Sequence, residues 1–579
     1  MGDVEDAAKP AVRRKPWLAA VGIALILAGS VLAWLIQTSG GVRVADVRFA
    51  GTGGLTMSAL LYIPPNATPQ TPAPGILAVH GYMNSRETQS AFAIELARRG
   101  YVVLAIDQPG HGYSAPPARA NGFGGPDALA YLRSLPFVDK SNIGLEGHSM
   151  GGWSVLAAAK AAPDDYKAIV LNGSSTGRPF AADGTPTWPR NLALVYARYD
   201  EFARFFWGSP DARKVTTSKK LWDVFGQSTE LVPGRVYGSI DQGTARVLFT
   251  PSETHPLNHL SRETVGHAID WFGRTLSGGK PIPASDQIWL WKEIGTLVAL
   301  IGFVVLLLGT FDALLGTTWF SGLARAPQRS DAKIAPARRW LVFAATTLVP
   351  AITFFPLLAL GDWLLPASAV LPQGVTNQFM VWALANALVG LMLALLLPRS
   401  KPQFAHQTGR AIAIALLTVA IGYVSLLVVD ALFKIDFRYW IVALKPMSGA
   451  QAVVFLIYLL PFTAFCLVAC RGLYLMSAQP AASGFRLYAG NALALALGMA
   501  LLVAIEYGVL FATGGLYLPT GTPIEALGTI LAIQFVPLLV TIAIISTFTY
   551  RRTGSYLPGA LVSGLLITWY IVAGQTTHV

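Results

Sequence analysis

Two patterns of apolar residues divide the chain. Between residues 42 and 277 short apolar runs alternate with stretches of helical periodicity, whereas beyond residue 288 the runs lengthen and only short polar loops separate them. A membrane-crossing helix needs about 20 mainly apolar residues. Residues 17–37 meet that length, as do runs near 294–315, 340–360, 378–397, 411–432, 450–470, 487–511, 524–548 and 556–574, which makes nine predicted spans. A signal peptide is the rival reading of 17–37, because Val31-Leu32-Ala33 resembles a cleavage site. The apolar run continues past Ala33 and favours an uncleaved anchor. The pattern changes at "SGGKPIPASD", residues 277–286. The expected organisation is a tail at 1–16, an anchor at 17–37, a globular domain at 42–277, a linker at 278–293 and a membrane domain of about eight helices at 294–579.

In the globular part, "VRVADVRFA" and "LTMSALLYIP" flank "GTGG" and read as a hairpin. "GILAVH" (75–80), "YVVLAID" (101–107) and "NIGLEG" (142–147) each precede a helical stretch, near 87–99, 123–134 and 150–162, and "KAIVLNG", "NLALVYA" and "ARVLFT" continue the series. Apolar strands alternating with helices predict an α/β class, a mostly parallel sheet with helices on both faces, joined here to an all-α transmembrane bundle. Such sheets place their chemistry at the carboxyl ends of the strands.

Composition supports the division. Hydrophobic residues make up 53% of the 579 and charged residues only 13%, too apolar for a wholly soluble chain. The net charge of +12 comes with a loop bias that explains it better than a nucleic-acid partner does. Arg325, Arg329, Lys333, Arg338 and Arg339 fall in one loop, Arg399, Lys401 and Arg410 in another, and Arg471, Arg486, Arg551 and Arg552 beside later spans; loops 361–377 and 512–523 carry no Lys or Arg. Cationic loops stay cytoplasmic. The chain therefore reads as a multi-pass protein of the cell membrane, its N-terminus inside and residues 38–293 outside. Lys434, Arg438 and Lys445 break this alternation; with Trp and Tyr around them they predict an interfacial helix. The two cysteines, Cys466 and Cys470, share one helix face inside a span and read as packing residues.

Gly147-His148-Ser149-Met150-Gly151 fits G-x-S-x-G, and it lies between a strand and an apolar helix, the setting a nucleophile elbow requires. With "HGYMNSRE" at 80–87 and "DQPGHGYS" at 107–114, in that order and spacing, residues 43–277 resemble the α/β-hydrolase family, most closely its dienelactone-hydrolase and prolyl-oligopeptidase branches. The resemblance implies a catalytic Ser149, an acid at Asp200 after "NLALVYA" and a base at His255 after the last strand, with His259 as the alternative base. Asp183 is the rival acid, and Glu201 is expected to point away from the site. His267 falls within a helix, and His80 and His111 are expected to position local turns. The backbone amides of Tyr82 and Met150 are the expected oxyanion donors. No metal-binding or nucleotide-binding motif is present, so no cofactor is expected.

Between Asp200 and the last strand, residues 201–244 carry "EFARFFWG" and "KKLWDVFG", whose aromatic residues suit a substrate wall, a membrane-docking face or plain helix packing. Asp312 and Asp430 lie near span ends. Glu506 lies deeper, where it would serve a lipid headgroup or a proton, or pair with Asn491 or Gln534. The function expected is a membrane-bound serine hydrolase cleaving carboxylic esters, lipids among them. The alternatives are a peptidase or acyltransferase using the same triad, and a transporter-like membrane domain with an attached hydrolase.

Overall fold

The computed structural model describes residues 17–325, 335–396, 407–477, 484–517 and 523–579; the tail 1–16 and Arg329, Lys333, Arg399 and Lys401 lie outside the described residues. A long apolar helix, α1 (Trp17–Gln37), leads into a nine-stranded sheet. Its strands are β1 (Arg43–Ala50), β2 (Thr56–Ile63), β3 (Ala73–Val79), β4 (Val102–Asp107), β5 (Val138–His148), β6 (Ala168–Asn172), β7 (Leu192–Val195), β8 (Val236–Tyr237) and β9 (Arg246–Phe249), in the order β1-β2-β4-β3-β5-β6-β7-β9-β8. The β1–β2 hairpin, the β2–β4 pair and the β8–β9 pair are antiparallel; every pairing from β4 to β9 is parallel. Helices α2 (Ser90–Arg98) and α5 (Arg262–Thr275) cover one face, and α3 (Gly125–Ser134) and α4 (Met150–Ala161) the other.

The two faces explain why the strands read as unbroken apolar runs. Along β4, Val102, Leu104 and Ile106 enter one core while Val103 and Ala105 enter the other. With both sides buried, the period of two vanishes from the hydropathy pattern.

Beyond the sheet lie α6 (Trp289–Leu314), α7 (Pro336–Ile352), α8 (Phe354–Leu364), α9 (Gly374–Ala394), α10 (Thr408–Phe433), α11 (Gly449–Ser477), α12 (Gly484–Thr513), α13 (Pro523–Thr553) and α14 (Leu557–Gly574). Among the described residues eight helices are long and apolar enough to cross a membrane, and a ninth span results if α7 and α8, bent by 52°, count as one. Pro356 accounts for the bend: it has no N–H to offer Ile352, the residue at which α7 ends. Helices α1 and α6 pack along glycines spaced by seven, Gly22 and Gly29 against Gly295, Gly302 and Gly309, where a Cβ would strike the facing backbone. The sheet domain is thus tethered at both ends to one tightly packed helix pair.

The segment after α10 differs from expectation. Instead of an interfacial helix it forms a hairpin, β10 (Phe437–Tyr439) and β11 (Val442–Leu444), turning at Trp440 with φ 56°. Lys434 donates to the Ala431 carbonyl of α10 at 2.6 Å, whereas Arg438 and Lys445 are held by the sheet domain and not by a lipid surface. Arg438 donates to Thr88 (2.8 Å) and Ser85 (3.0 Å), pairs with Asp436 and lies 3.6 Å from Glu87, while Lys445 Nζ reaches the Met83 carbonyl at 3.4 Å. Both cations are buried. The hairpin turns them toward carboxylates and carbonyls that repay their desolvation.

Other polar groups of the bundle also have partners. Asp430 accepts from the Tyr113 hydroxyl at 3.0 Å, another link to the sheet domain, and Asp312 pairs with Arg552 at 2.6 Å. Glu506 accepts from the Tyr517 amide at 3.1 Å, while Asn491 donates to Thr547 and Gln534 accepts from Tyr570. Cys466 and Cys470 are buried free thiols.

Candidate active site

β5 ends at His148 and α4 begins at Met150, so Ser149 alone makes the turn, with φ 53° and ψ −121°. A non-glycine residue in this region is strained, and the surroundings must hold it there. They do: the Ser149 amide donates to the Asn172 carbonyl (2.9 Å), and its carbonyl accepts from the Gly152 amide (2.9 Å) and the Ser174 hydroxyl (2.7 Å). The motif glycines are required by close approach. A Cβ on Gly147 would collide with the Gly151 carbonyl, and one on Gly151 with the carbonyls of Val79 and His80.

Five residues beyond β7, Asp200 is locked by the Phe202 amide, which donates to Oδ1 at 2.9 Å; Oδ2 lies 2.8 Å from Nδ1 of His255. His255 opens the 3₁₀ turn His255–Leu260 that follows β9. Gly173, with φ 50°, passes directly beneath the pair: a Cβ there would sit 2.9 Å from His255 Nδ1 and 3.2 Å from Asp200 Oδ2. Burial alone would depress the imidazole's pKa, but the charge of Asp200 and its hydrogen bond win and raise it above its ordinary value.

Glu201 departs from expectation. It does not point away from the site: Oε2 accepts the backbone amide of His255 at 2.8 Å and Oε1 accepts the hydroxyl of Tyr507, on α12, at 2.6 Å. Burial, aided by the charge of Asp200, pushes its carboxyl up to about 7. His148 also holds the His255 loop, its Nε2 donating to the His255 carbonyl at 3.1 Å, and burial keeps the His148 ring neutral. The His255 loop is therefore gripped at its amide, its carbonyl and its ring.

The remaining candidates do not join this pair, although His259 lines the same cavity as Ser149 and His255. His259 is buried against the His148 ring (centroids 4.0 Å apart), neither of its nitrogens has a partner among the described residues, and burial drops it to about 3. Asp183 lies beside Gly177 and Lys220, and His267 stacks on Phe249 within α5. His80 Nε2 accepts from the Gln108 amide at 3.1 Å, joining two loops, and His111 bonds to Thr576 at 2.7 Å. Among the described residues no group of His, Cys, Asp or Glu is arranged to hold a metal.

Ser149 and His255 open onto a cavity of about 480 Å³, within the range of small-molecule sites. Tyr82 and Met150 also line it, and among the described residues neither backbone amide has an acceptor. One wall is aromatic, built from Trp153, Phe180, Phe202, Phe205 and Phe206; the latter three come from the 201–244 segment. The facing wall comes from the bundle, from α9, α13, the β10–β11 turn and residues 578–579. Sequence reasoning left out Gly173, His148 and Tyr507. The first two carried a weak signal, a glycine directly after a strand and the variable position of the elbow motif; Tyr507 carried none.

A strained serine at a strand-to-helix turn, an Asp–His pair and two free amides meet around one mainly apolar cavity. Residues 74–294 match the family model described as alpha/beta hydrolase fold, and this part of the chain is an α/β-hydrolase domain, followed by a helical region with several long apolar helices. Among curated proteins, the chain is 35% identical over 106 residues to a 2-hydroxy-6-oxononadienedioate/2-hydroxy-6-oxononatrienedioate hydrolase of Cupriavidus pinatubonensis, covering 18% of this chain and 36% of that protein. It is 26% identical over 251 residues to an epoxide hydrolase of Caballeronia sordidicola, covering 41% of this chain and 68% of that one. The chain thus spans about a third of the first relative and two thirds of the second. Similar solved structures include an esterase of Pyrococcus furiosus, 16% identical over 41% of this chain and 92% of that one with a TM-score of 0.30. Another is a CIB-like hydrolase of Thermoplasma acidophilum, 14% identical over 40% and 100% with a TM-score of 0.28.

Proposed function

We propose that the chain is a membrane-bound serine hydrolase that cleaves carboxylic esters through an acyl-enzyme. The observation that carries this reading is the Asp200–His255 pair, 2.8 Å across, opening with the strained Ser149 onto one cavity. In the proposed mechanism, His255 takes the Ser149 proton as Oγ attacks the ester carbonyl, and Asp200 holds the ring with Nε2 free to receive it. The amides of Tyr82 and Met150 stabilise the oxyanion, the second aided by its place in the first turn of α4. His255 then protonates the leaving alcohol, and water, activated by the same base, releases the acid. Hydrolysis is common to the names of both curated relatives, one for an epoxide and one for a dienedioate; a serine nucleophile beside two free amides suits a carbonyl better than an epoxide. The loop bias of Lys and Arg supports a domain that faces the outer side of the membrane.

A membrane-impermeant fluorophosphonate probe applied to intact cells tests both parts. Labelling of the native chain that is lost in Ser149→Ala is the expected result. Absence of labelling before and after the cells are opened refutes the nucleophile, and labelling only after opening refutes the orientation.

A further inference from the structure

The membrane bundle supplies nearly half of the lining of the cavity at Ser149. From the bundle come Val375 and Gln378 on α9 and Ile530, Leu531 and Gln534 on α13. Their depth can be read from the helices. α9 has 21 residues, ~31 Å at 1.5 Å per residue, which matches a hydrocarbon core of about 30 Å, so its first residue, Gly374, marks one surface of the bilayer. Gln378 then lies about 6 Å below that surface, and Gln534, nine residues into the span that begins at Glu525, lies about 14 Å along its own helix. Ser149 itself belongs to the sheet domain, at the turn from β5 to α4. The cavity therefore extends from the sheet domain to below that surface, where Val375, Ile530 and Leu531 line it together with the polar Gln378 and Gln534 and, from α8, Asp362.

The cavity also borders an exposed apolar stretch of the bundle. The loop between α8 and α9 lines the cavity with Pro366 and Ala367, and the neighbouring Trp363 and Val370 are 77% and 68% exposed. Trp at this height is typical of a membrane interface. A mainly apolar cavity that begins at Ser149, runs down between apolar helices long enough to cross a membrane and borders an exposed apolar stretch fits a substrate that lives in the bilayer.

Resting on the esterase reading, we infer that the substrate is an ester of a bilayer lipid, whose acyl chain occupies a pocket shared by the aromatic wall of the hydrolase domain and the apolar residues of α9 and α13. The acyl carbon bonds to Ser149 Oγ, the ester C–O bond breaks, and the serine proton passes through His255 to the departing alcohol. Water then adds across the new acyl–serine bond, releasing a fatty acid and restoring the serine.

The full chain in detergent micelles would be assayed with the p-nitrophenyl esters of acetic, octanoic and palmitic acids. In phosphatidylcholine–phosphatidylglycerol vesicles it would be assayed for fatty-acid release. Native protein is expected to favour palmitate over acetate and to release fatty acid in a manner lost in Ser149→Ala. Val375→Trp and Ile530→Trp, one on each bundle helix, are expected to lower the palmitate-to-acetate ratio of kcat/KM at least tenfold. Ile530→Ala guards against misfolding by leaving space where the others fill it, and should move the ratio by less. A native preference for acetate, or a ratio that stays the same in every variant, overturns the shared pocket. Hydrolysis of all three esters that survives Ser149→Ala, or no hydrolysis of any of them, would instead overturn the esterase reading itself.

Discussion

Replacing Gly173 by alanine sets one methyl group against the proposed catalytic pair. The new Cβ would lie 2.8 Å from Asn258 Nδ2, 2.9 Å from His255 Nδ1 and 3.2 Å from Asp200 Oδ2, where ordinary contact begins at 3.4 Å. Two costs follow. The backbone, at φ 50°, adds about 1–2 kcal/mol of strain for a residue with a Cβ. The crowding must be relieved by moving the imidazole or the carboxylate by roughly half an ångström, enough to stretch a 2.8 Å hydrogen bond out of its useful range. Misplacement of about 1 Å costs on the order of 10²-fold in rate, and full loss of the aspartate's role about 10⁴-fold. The expected kcat/KM for a p-nitrophenyl ester therefore falls between those limits. Gly208→Ala separates strain from contact, since Gly208 has φ 67° and nothing within 4 Å of its built Cβ. It should lose about 1 kcal/mol of stability and keep kcat/KM within about twofold. Equal activity in the two folded variants would refute the claim that Gly173 makes room for the Asp–His pair.

The imidazole of His255 must be neutral to accept a proton, and Asp200 raises its pKa, so kcat/KM should fall as pH drops through a midpoint above the ordinary 6.5. Asp200→Asn should move the midpoint of the residual activity down; an unmoved midpoint would separate the limb from this pair. Glu201, raised to about 7, favours its protonated form in the fold, so its contribution to stability is complete below about 4.5 and lost as pH rises through 7. Glu201→Gln should flatten that dependence in thermal unfolding, and an unchanged pH–stability curve would refute the assignment. Tyr507→Phe removes one bond to Glu201 and should lower kcat more than it raises KM, because the tyrosine meets the His255 loop and not the cavity; a pure KM effect would contradict this. Arg438→Ala leaves Asp436 and Glu87 without their shared cation in a buried site and should destabilise the fold by about 3–5 kcal/mol in denaturant titration, against less than 1 if the hairpin merely rests on the surface.

Which features were legible in the sequence depends on how far away their cause lies. The strands were readable because burial on both faces leaves continuous apolar runs, and Ser149 because its turn needs glycines two residues to either side. The spans follow from length and hydropathy alone, although the bend at Thr353 between α7 and α8 turns on the placement of one proline. Asp200 and Glu201 are adjacent, and their division of labour was not legible. One carboxylate reaches the ring of His255 and the other its backbone, and the second is aimed by a tyrosine 306 positions along the chain. The β10–β11 segment misled for the same reason. Its cations look interfacial in isolation, and become a hairpin only when Ser85, Glu87 and Thr88 are known to face them.

These distant causes converge on one loop. His255 is held through its ring by Asp200, through its carbonyl by His148 and through its amide by Glu201, and only the last of these leads outside the sheet domain, to α12. The neighbouring Pro256 carbonyl accepts from the Trp440 indole at 2.7 Å, so the β10–β11 turn grips the same loop from a second direction. Each contact is an ordinary hydrogen bond worth about 1 kcal/mol, yet together they tie the geometry of His255 to the packing of the bundle. A shift of α12 or of the hairpin relative to the sheet would reach His255 through one or two bonds, whereas Ser149, fixed by β5, β6 and α4, would stay where it is. Any influence of the bundle on the proposed reaction therefore runs through His255 and not through Ser149.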